Sequence, residues 1–350
     1  MRIYLAGEGD NSKKGVLTLY KNISGVNRLF SMYYLCGKDY PTLNYFVKKR
    51  HKQHHSLFLD SGAPTLYNKF ARKVGGEFMG AHMSNRKHDD FSFLESEFFL
   101  DYREKHIEFL KEHKHHFDVY TILDIINNQE ATWEQQQYYE SKGLNPLPVW
   151  HFGSDEKWLR LYLEKGYKYI GIGGMVPNPR SILIPSLNNI WQKYLTNTKG
   201  EPIVKIHGFA MTSTLMMQEY PWHSVDSTTW IKIGMYGGIL LPDFVKGKPD
   251  FLEGNISLSV SSKSKQDKKK LGHISNYPEK RKAVFIEYLR EKGYVIGKSI
   301  FKHGEEKIVE KGLCNQRNQR LRYNMQYFQE LQKHISEQPR IFKVKKNFNL

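Results

Sequence analysis

The sequence predicts an α/β fold, a (β/α)8 TIM barrel with a small basic C-terminal appendage. Three observations carry this. Eight short apolar segments precede residue 231, each rich in β-branched, aromatic or aliphatic residues and bounded by turn signals. Helical patterns separate many of them, and strand alternating with helix reads as a parallel sheet covered on both faces. Three segments deliver an Asp at or near their ends: Leu57-Phe58-Leu59-Asp60-Ser61-Gly62, Tyr120-Thr121-Ile122-Leu123-Asp124 and Ser224-Val225-Asp226-Ser227-Thr228. A barrel builds its site at the C-terminal ends of its strands, so carboxylates recurring there predict one pocket.

Taken in order, the predicted strands are residues 2–6, 29–35, 56–60, 119–124, 147–152, 169–173, 203–209 and 223–227. That number favours a closed barrel over a doubly wound sheet. Residues 40–55 are basic and irregular. Residues 91–116 carry Phe, Leu and Ile three and four apart among charges, as an amphipathic helix does. A second helix is expected over 132–142. Ser154 is placed to cap the helix after strand five, with Asp155 and Glu156 in its first turn and Gly166 at its end. Past Trp230 the character changes. Residues 237–242 and 255–260 predict two extra strands, and 261–270 a lysine-rich loop. Helices are expected over 279–292 and 315–337, and a frayed basic tail over 340–350. The implied organisation is a catalytic core at 1–235, a basic α+β segment at 236–312, a closing barrel helix at 313–338 and a tail at 339–350.

Lys and Arg total 53 against 36 Asp and Glu, a formal net charge of +17 over 350 residues. This favours a polyanionic partner, nucleic acid or an anionic surface. No apolar run is long enough to span a bilayer. The N-terminus reads as a strand and lacks a leader pattern. Cys36 and Cys314 lie far apart, so a disulfide framework is not expected and a reducing cytoplasm fits. His51, His54 and His55, and likewise His113, His115 and His116, sit among lysines as solvated cations rather than metal ligands.

Two carboxylates facing one sugar can act as nucleophile and acid/base, about 5–5.5 Å apart in retaining glycosyl transfer. Asp226 and Asp60 are the candidate pair. Asp-Ser at a strand end also reads as a turn or helix cap, but independent caps need not recur at one edge. Gly171, Gly173 and Gly174 end strand six, where a missing side chain lets a flat ligand approach or simply makes a turn. His151 and His207, near the ends of strands five and seven, are candidates for substrate contact or for structural hydrogen bonding. Tyr67, Phe91 and Trp222 are candidates to stack a base, with core packing as the alternative.

The order of these motifs resembles the tRNA-guanine transglycosylase family, and most closely its DNA-modifying relatives, the 7-deazaguanine DNA transglycosylases of bacteria and phages. The likeness spans about residues 55–235 and the last long helix, at Arg320-Leu321-Arg322-Tyr323-Asn324-Met325. It implies exchange of guanine in DNA for a 7-deazaguanine base through a covalent Asp–deoxyribose intermediate, which would hide DNA from restriction in a bacterial or phage-infected cytoplasm. It implies Asp226 as nucleophile and Asp60 as general acid/base. Asp124, His151, Gly173, Gly174, Ser61 and His207 would contact the base. The partners implied are double-stranded DNA, or alternatively tRNA, and the free 7-deazaguanine base. Lys263, Lys265, Lys268, Lys269, Lys270, Lys280, Arg281 and Lys282 would contact phosphates. Two departures stand out. His151 replaces the Gln of the tRNA enzymes, and their zinc-binding Cys cluster is absent, so no metal or other cofactor is expected. A non-catalytic nucleic-acid-binding barrel is the rival reading from outside the enzymes, and an unrelated glycosidase is a further one.

Overall fold

The computed structural model describes residues 1–7, 13–35, 40–73, 91–176, 178–211, 213–264, 272–303 and 305–343. Eight parallel strands form one curled sheet. They are β1 (Arg2–Leu5), β2 (Asn27–Ser31), β3 (Ser56–Asp60), β4 (Val119–Tyr120), β5 (Val149–His151), β6 (Tyr169–Gly173), β7 (Lys205–Gly208) and β8 (Ser224–Ser227). Their order is β4-β3-β2-β1-β8-β7-β6-β5, so the outermost strands are sequence neighbours. These two meet at one parallel bridge, Thr121 to Leu147, where the Leu147 N–H donates to the Tyr120 carbonyl at 2.8 Å.

The curl follows from ring distances. β3 and β7 are four strand spacings apart in the sheet order, about 19 Å if it were flat. Yet Phe58 on β3 lies 4.7 Å from His207 on β7, centroid to centroid. Side chains alternate along each strand. Tyr4, Leu29, Phe58 and Leu147 therefore share the concave face with Val119, Tyr169 and Phe209. Their alternates Ile3, Leu5, Leu57, Leu59, Ile170, Ile172, Ile206 and Val225 join the main core outside. Gly171 serves this interior: a Cβ there would stand 2.5 Å from Cε2 of Phe209.

Helices follow most strands: α1 (Lys13–Tyr20), α2 (Met32–Leu35), α3 (Pro41–Lys49), α4 (Ala63–Lys73), α5 (Phe91–Leu94), α6 (Glu97–His113), α7 (Gln129–Ser141), α8 (Glu156–Glu164), α9 (Arg180–Ile190), α10 (Thr214–Glu219) and α11 (Thr229–Met235). An antiparallel pair, β9 (Gly238–Val245) and β10 (Lys248–Ser259), leads to α12 (Glu279–Glu291). A second antiparallel pair, β11 (Lys298–Lys302) and β12 (Glu305–Glu310), precedes α13 (Arg317–Ser336). This C-terminal part has its own apolar cluster, including Ile239, Leu258, Phe285, Leu289 and Leu313. α13 returns to the sheet. Gln332 Oε1 accepts from Ile3 N–H at 2.7 Å, and Asn324 Nδ2 donates to the Trp230 carbonyl at 3.0 Å.

Several expectations need correction. The second strand ends at Ser31, and Met32 to Leu35 turn helical, burying Met32 and Leu35. The fourth strand stops at Tyr120; Thr132 Oγ1 donates to the Ile125 carbonyl and accepts its N–H, holding the chain outside the ladder. The helix expected over 91–116 breaks where Ser96 caps α6, accepting from Phe99 N–H at 3.2 Å. Asp155, not Ser154, caps α8: its carboxylate accepts from Lys157 N–H at 2.8 Å, two groups the macrodipole favours together. The irregular basic stretch contains α3, started by Pro41 in the first helical turn. The tail does not fray at its beginning. Arg340 donates to the carbonyls of Met217 and Tyr220, and the Phe342 ring stacks on Tyr220 at 5.9 Å. The β11–β12 hairpin was not foreseen. Among the described residues no helix is long and apolar enough to cross a membrane.

Candidate active site

The C-terminal ends of β3 and β8 each carry a carboxylate, and the segment after β4 carries a third. Asp60 feels the negative charge of both Asp124 and Asp226. Crowding by protein atoms and these two neighbours push Asp60 up to about 7, although part of its surface remains accessible. The backbone N–H of Gly62 donates to Asp60 Oδ2 at 3.0 Å and pulls the other way, as a donor to the charged form must. Gly62 adopts φ 80°, and a Cβ there would lie 2.6 Å from Ser31 Oγ, so the turn after Asp60 needs glycine.

Asp226 is set differently. It is 7 % exposed. Its Oδ1 accepts the Ala210 N–H at 2.8 Å. Ala210 sits at φ 54°, a left-handed conformation that costs a residue with a Cβ. Non-glycine strain of this kind clusters where function requires a particular backbone aim. His207 Nε2 lies 3.4 Å from the same oxygen, close but not aligned for a hydrogen bond, and has no hydrogen-bond partner among the described residues. Behind it, His207 Nδ1 meets Ser224 Oγ at 2.6 Å, and Ser224 Oγ meets the Tyr169 hydroxyl. Burial lowers the His207 pKa, against the opposing pull of Asp226.

Asp124 is braced from two sides. His151 Nε2 contacts its Oδ2 at 2.9 Å, and Ser61 Oγ reaches its Oδ1 at 3.4 Å. An ionised carboxylate only accepts, so His151 donates to it through Nε2, while its buried Nδ1 has no hydrogen-bond partner among the described residues. His151 is itself 2 % exposed, and so reaches the site through Asp124. Gln129 fixes the strand beneath: its Oε1 accepts His151 N–H at 2.8 Å and its Nε2 donates to the Val149 carbonyl at 2.9 Å. Ser61 is fully buried, its N–H donating to Thr121 Oγ1 at 3.1 Å and its carbonyl accepting from the Tyr102 hydroxyl at 2.6 Å. Gly173 pairs with His151 across the ladder, and a Cβ on it would press to 3.2 Å from His151 Cδ2. Gly174 turns the chain at φ 70°.

The structure thus gathers Asp60, Ser61, Asp124, His151, Gly173, His207 and Asp226 at one end of the sheet. Trp222 is core rather than a base-stacking platform: it is buried, donates to the Met216 carbonyl at 2.9 Å and packs edge-on against Trp191. Tyr67 packs edge-on against Phe93 at 5.3 Å. The Phe91 side chain lies outside the described residues. Of the basic residues expected at phosphates, Lys265, Lys268, Lys269 and Lys270 also lie outside them. Lys263 reaches Glu306 at 3.2 Å. Lys280, Arg281 and Lys282 open α12; Lys282 pairs with Glu279, and the Arg281 guanidinium lies over Tyr277 and Phe285. Among the described residues no group of His, Cys, Asp and Glu is placed to hold a metal. Tyr169, Ser224 and Ala210 were not singled out in the sequence. Period-two alternation would have found the first two, since Tyr169 shares a face with Gly171 and Gly173, and Ser224 with Asp226.

No protein-family model matches the chain, and no curated protein matches it.

Proposed function

We propose that these carboxylates form the active site of a guanine transglycosylase acting on DNA. On this reading the curled sheet is a (β/α)8 barrel, sealed at the Thr121–Leu147 bridge, with residues 236–312 appended and α13 closing the wall. The observation that supports it most is the unequal setting of two strand-end carboxylates. Asp60 is pushed up to about 7 by burial and by its two acidic neighbours, whereas Asp226 accepts the Ala210 N–H and has the His207 ring 3.4 Å away. Two carboxyl groups held in different environments divide into acid and nucleophile.

The exchange then runs in two halves. Asp226 attacks C1′ of the target deoxyguanosine as the C1′–N9 bond breaks, and protonated Asp60 gives its proton to the departing guanine. The incoming 7-deazaguanine base loses a proton to the Asp60 carboxylate and attacks C1′, and the ester to Asp226 breaks. The base must leave the duplex stack to reach this site. Asp124, oriented by His151 and Ser61, is placed to accept from donors on a guanine edge. The excess of 53 basic over 36 acidic residues suits a polyanionic substrate.

The test is incorporation of radiolabelled guanine into double-stranded DNA and into bulk tRNA, with Asp226→Ala as control. Label in DNA that the variant cannot introduce supports the proposal. Label in tRNA alone assigns the same chemistry to RNA. No label in either, with salt-dependent binding retained, supports a non-catalytic nucleic-acid-binding barrel.

A further inference from the structure

With Asp226 ionised, the polar contacts behind it take one sense. An ionised Asp226 can only accept, so the His207 nitrogen facing it carries the hydrogen. Neutral imidazole has one N–H, which leaves Nδ1 as an acceptor. Ser224, 2.6 Å from Nδ1, then donates to it, and the Ser224 oxygen accepts from the Tyr169 hydroxyl. Each group has one role, and none is free to reverse without placing two lone pairs or two hydrogens face to face. His207 is 0 % exposed and enclosed by the rings of Tyr4, Phe58 and Phe209 at 6.2, 4.7 and 4.4 Å. The titratable groups near it are Tyr4 from β1, Tyr169 from β6, Asp226 from β8 and His223 just before β8. An apolar cage of this kind disfavours a second proton.

We infer that His207 is a positioning residue for Asp226, held as the neutral Nε2–H tautomer by the Tyr169–Ser224 pair. Its N–H aims one carboxylate oxygen. Together with Ala210 N–H it occupies Oδ1, leaving Oδ2 as the oxygen for attack. This deepens the transglycosylase reading and rests on it for the rate measurement, but its structural part can be tested without any turnover.

Two-bond 1H–15N correlation spectra of the histidines, assigned with His207→Gln, report the tautomer directly. The expected result is an Nε2–H signature for His207 at neutral pH and above. An Nδ1–H or imidazolium pattern overturns the inference. Carboxyl 13C spectra at neutral pH then compare the wild type with His207→Phe, which keeps a ring in an aromatic cage, and His207→Gln, which keeps an N–H donor near the Nε2 position. The Asp226 carboxyl signal should move in the Phe variant and stay near wild type in the Gln variant; one unchanged position in all three overturns the inference. In guanine exchange, the Phe variant should lose roughly 10- to 100-fold in kcat with KM little changed, the scale of losing an orienting partner, and Gln should restore most of it. An equal loss in both variants would mark His207 as mere packing. If the wild type shows no exchange, the functional reading fails, while the tautomer and the Asp226 carboxyl signals still decide the role of His207.

Discussion

The strand-end site and the C-terminal segment solve opposite problems. At the strand ends, polar groups are buried or half-buried and each is held by named partners: Asp226 by Ala210, Asp124 by His151 and Ser61, Ser61 by Thr121 and Tyr102. In the C-terminal segment the apolar cluster around Phe285 and Leu289 is covered, and the charges stand outside it. The β11–β12 hairpin is the extreme, with Ile300, Phe301, Ile308 and Val309 all more than 40 % exposed. Chemistry needs side chains fixed in place, which burial and hydrogen bonds achieve. Affinity for a polyanion needs only charge within reach. One region should therefore respond to substitution in rate, and the other in binding and stability.

The largest effect should separate the two functions. Asp226→Ala is expected to abolish exchange while DNA affinity, read by fluorescence anisotropy, changes less than about threefold, since the loss falls on the transition state. Loss of binding together with activity would merge the regions and count against the nucleophile role.

Asp60→Asn should slow exchange by about 10²–10⁴-fold, the range for removing a general acid–base. The same variant should change stability in a pH-dependent way. Asp60 ordinarily titrates at 3.8 and here at about 7, so the folded chain holds a proton that the unfolded chain releases across that window. Stability from the neutral form is complete below about pH 4 and is lost as pH rises through 7. Asn stays neutral throughout. Urea melts should find the variant more stable than wild type at pH 8, with the gap closing toward pH 4. A gap independent of pH would show that Asp60 titrates normally.

Within the C-terminal segment, Phe285→Ala should act on stability alone. Phe285 is fully buried between α12 and the β9–β10 pair, and removing it opens a cavity worth about 3–5 kcal/mol. Thermal unfolding followed by circular dichroism would show the loss. A loss of turnover at temperatures where the variant stays folded would break the division. The smallest effect belongs to Lys280, an exposed residue at the start of α12. Lys280→Ala should weaken DNA binding a few-fold and lower the slope of log affinity against log salt by about one. An unchanged slope would remove Lys280 from the phosphate contacts.

How much of this was legible beforehand depends on the kind of signal. Residues 56–60 and 169–173 were placed to the residue as strands, because continuous apolar runs bounded by turn residues have one economical reading. The hairpin at 298–310 escaped because neither of its faces is buried, so no apolar alternation marks it. Strand four looked longer than it is because Ile122 and Leu123 are apolar for the main core rather than for the ladder. The helix cap moved from Ser154 to Asp155 because both residues cap well, and only the path of the chain chooses between them.

The sequence by itself determined the alternation of strand and helix, the delivery of Asp60 and Asp226 to strand ends, and the positive charge that suits a polyanion. Those are properties of local pattern and composition, written in neighbouring residues. Only the tertiary structure decided that Asp60 stands in the field of Asp124 and Asp226, that Ala210 turns its N–H toward Asp226, and that Tyr169, Ser224 and His207 line up behind it. Asp60 and Asp226 are 166 residues apart in the chain. Their interaction exists because the sheet curls, and the curl is a consequence of twist, strand order and packing summed over the whole chain, which no short stretch of it records.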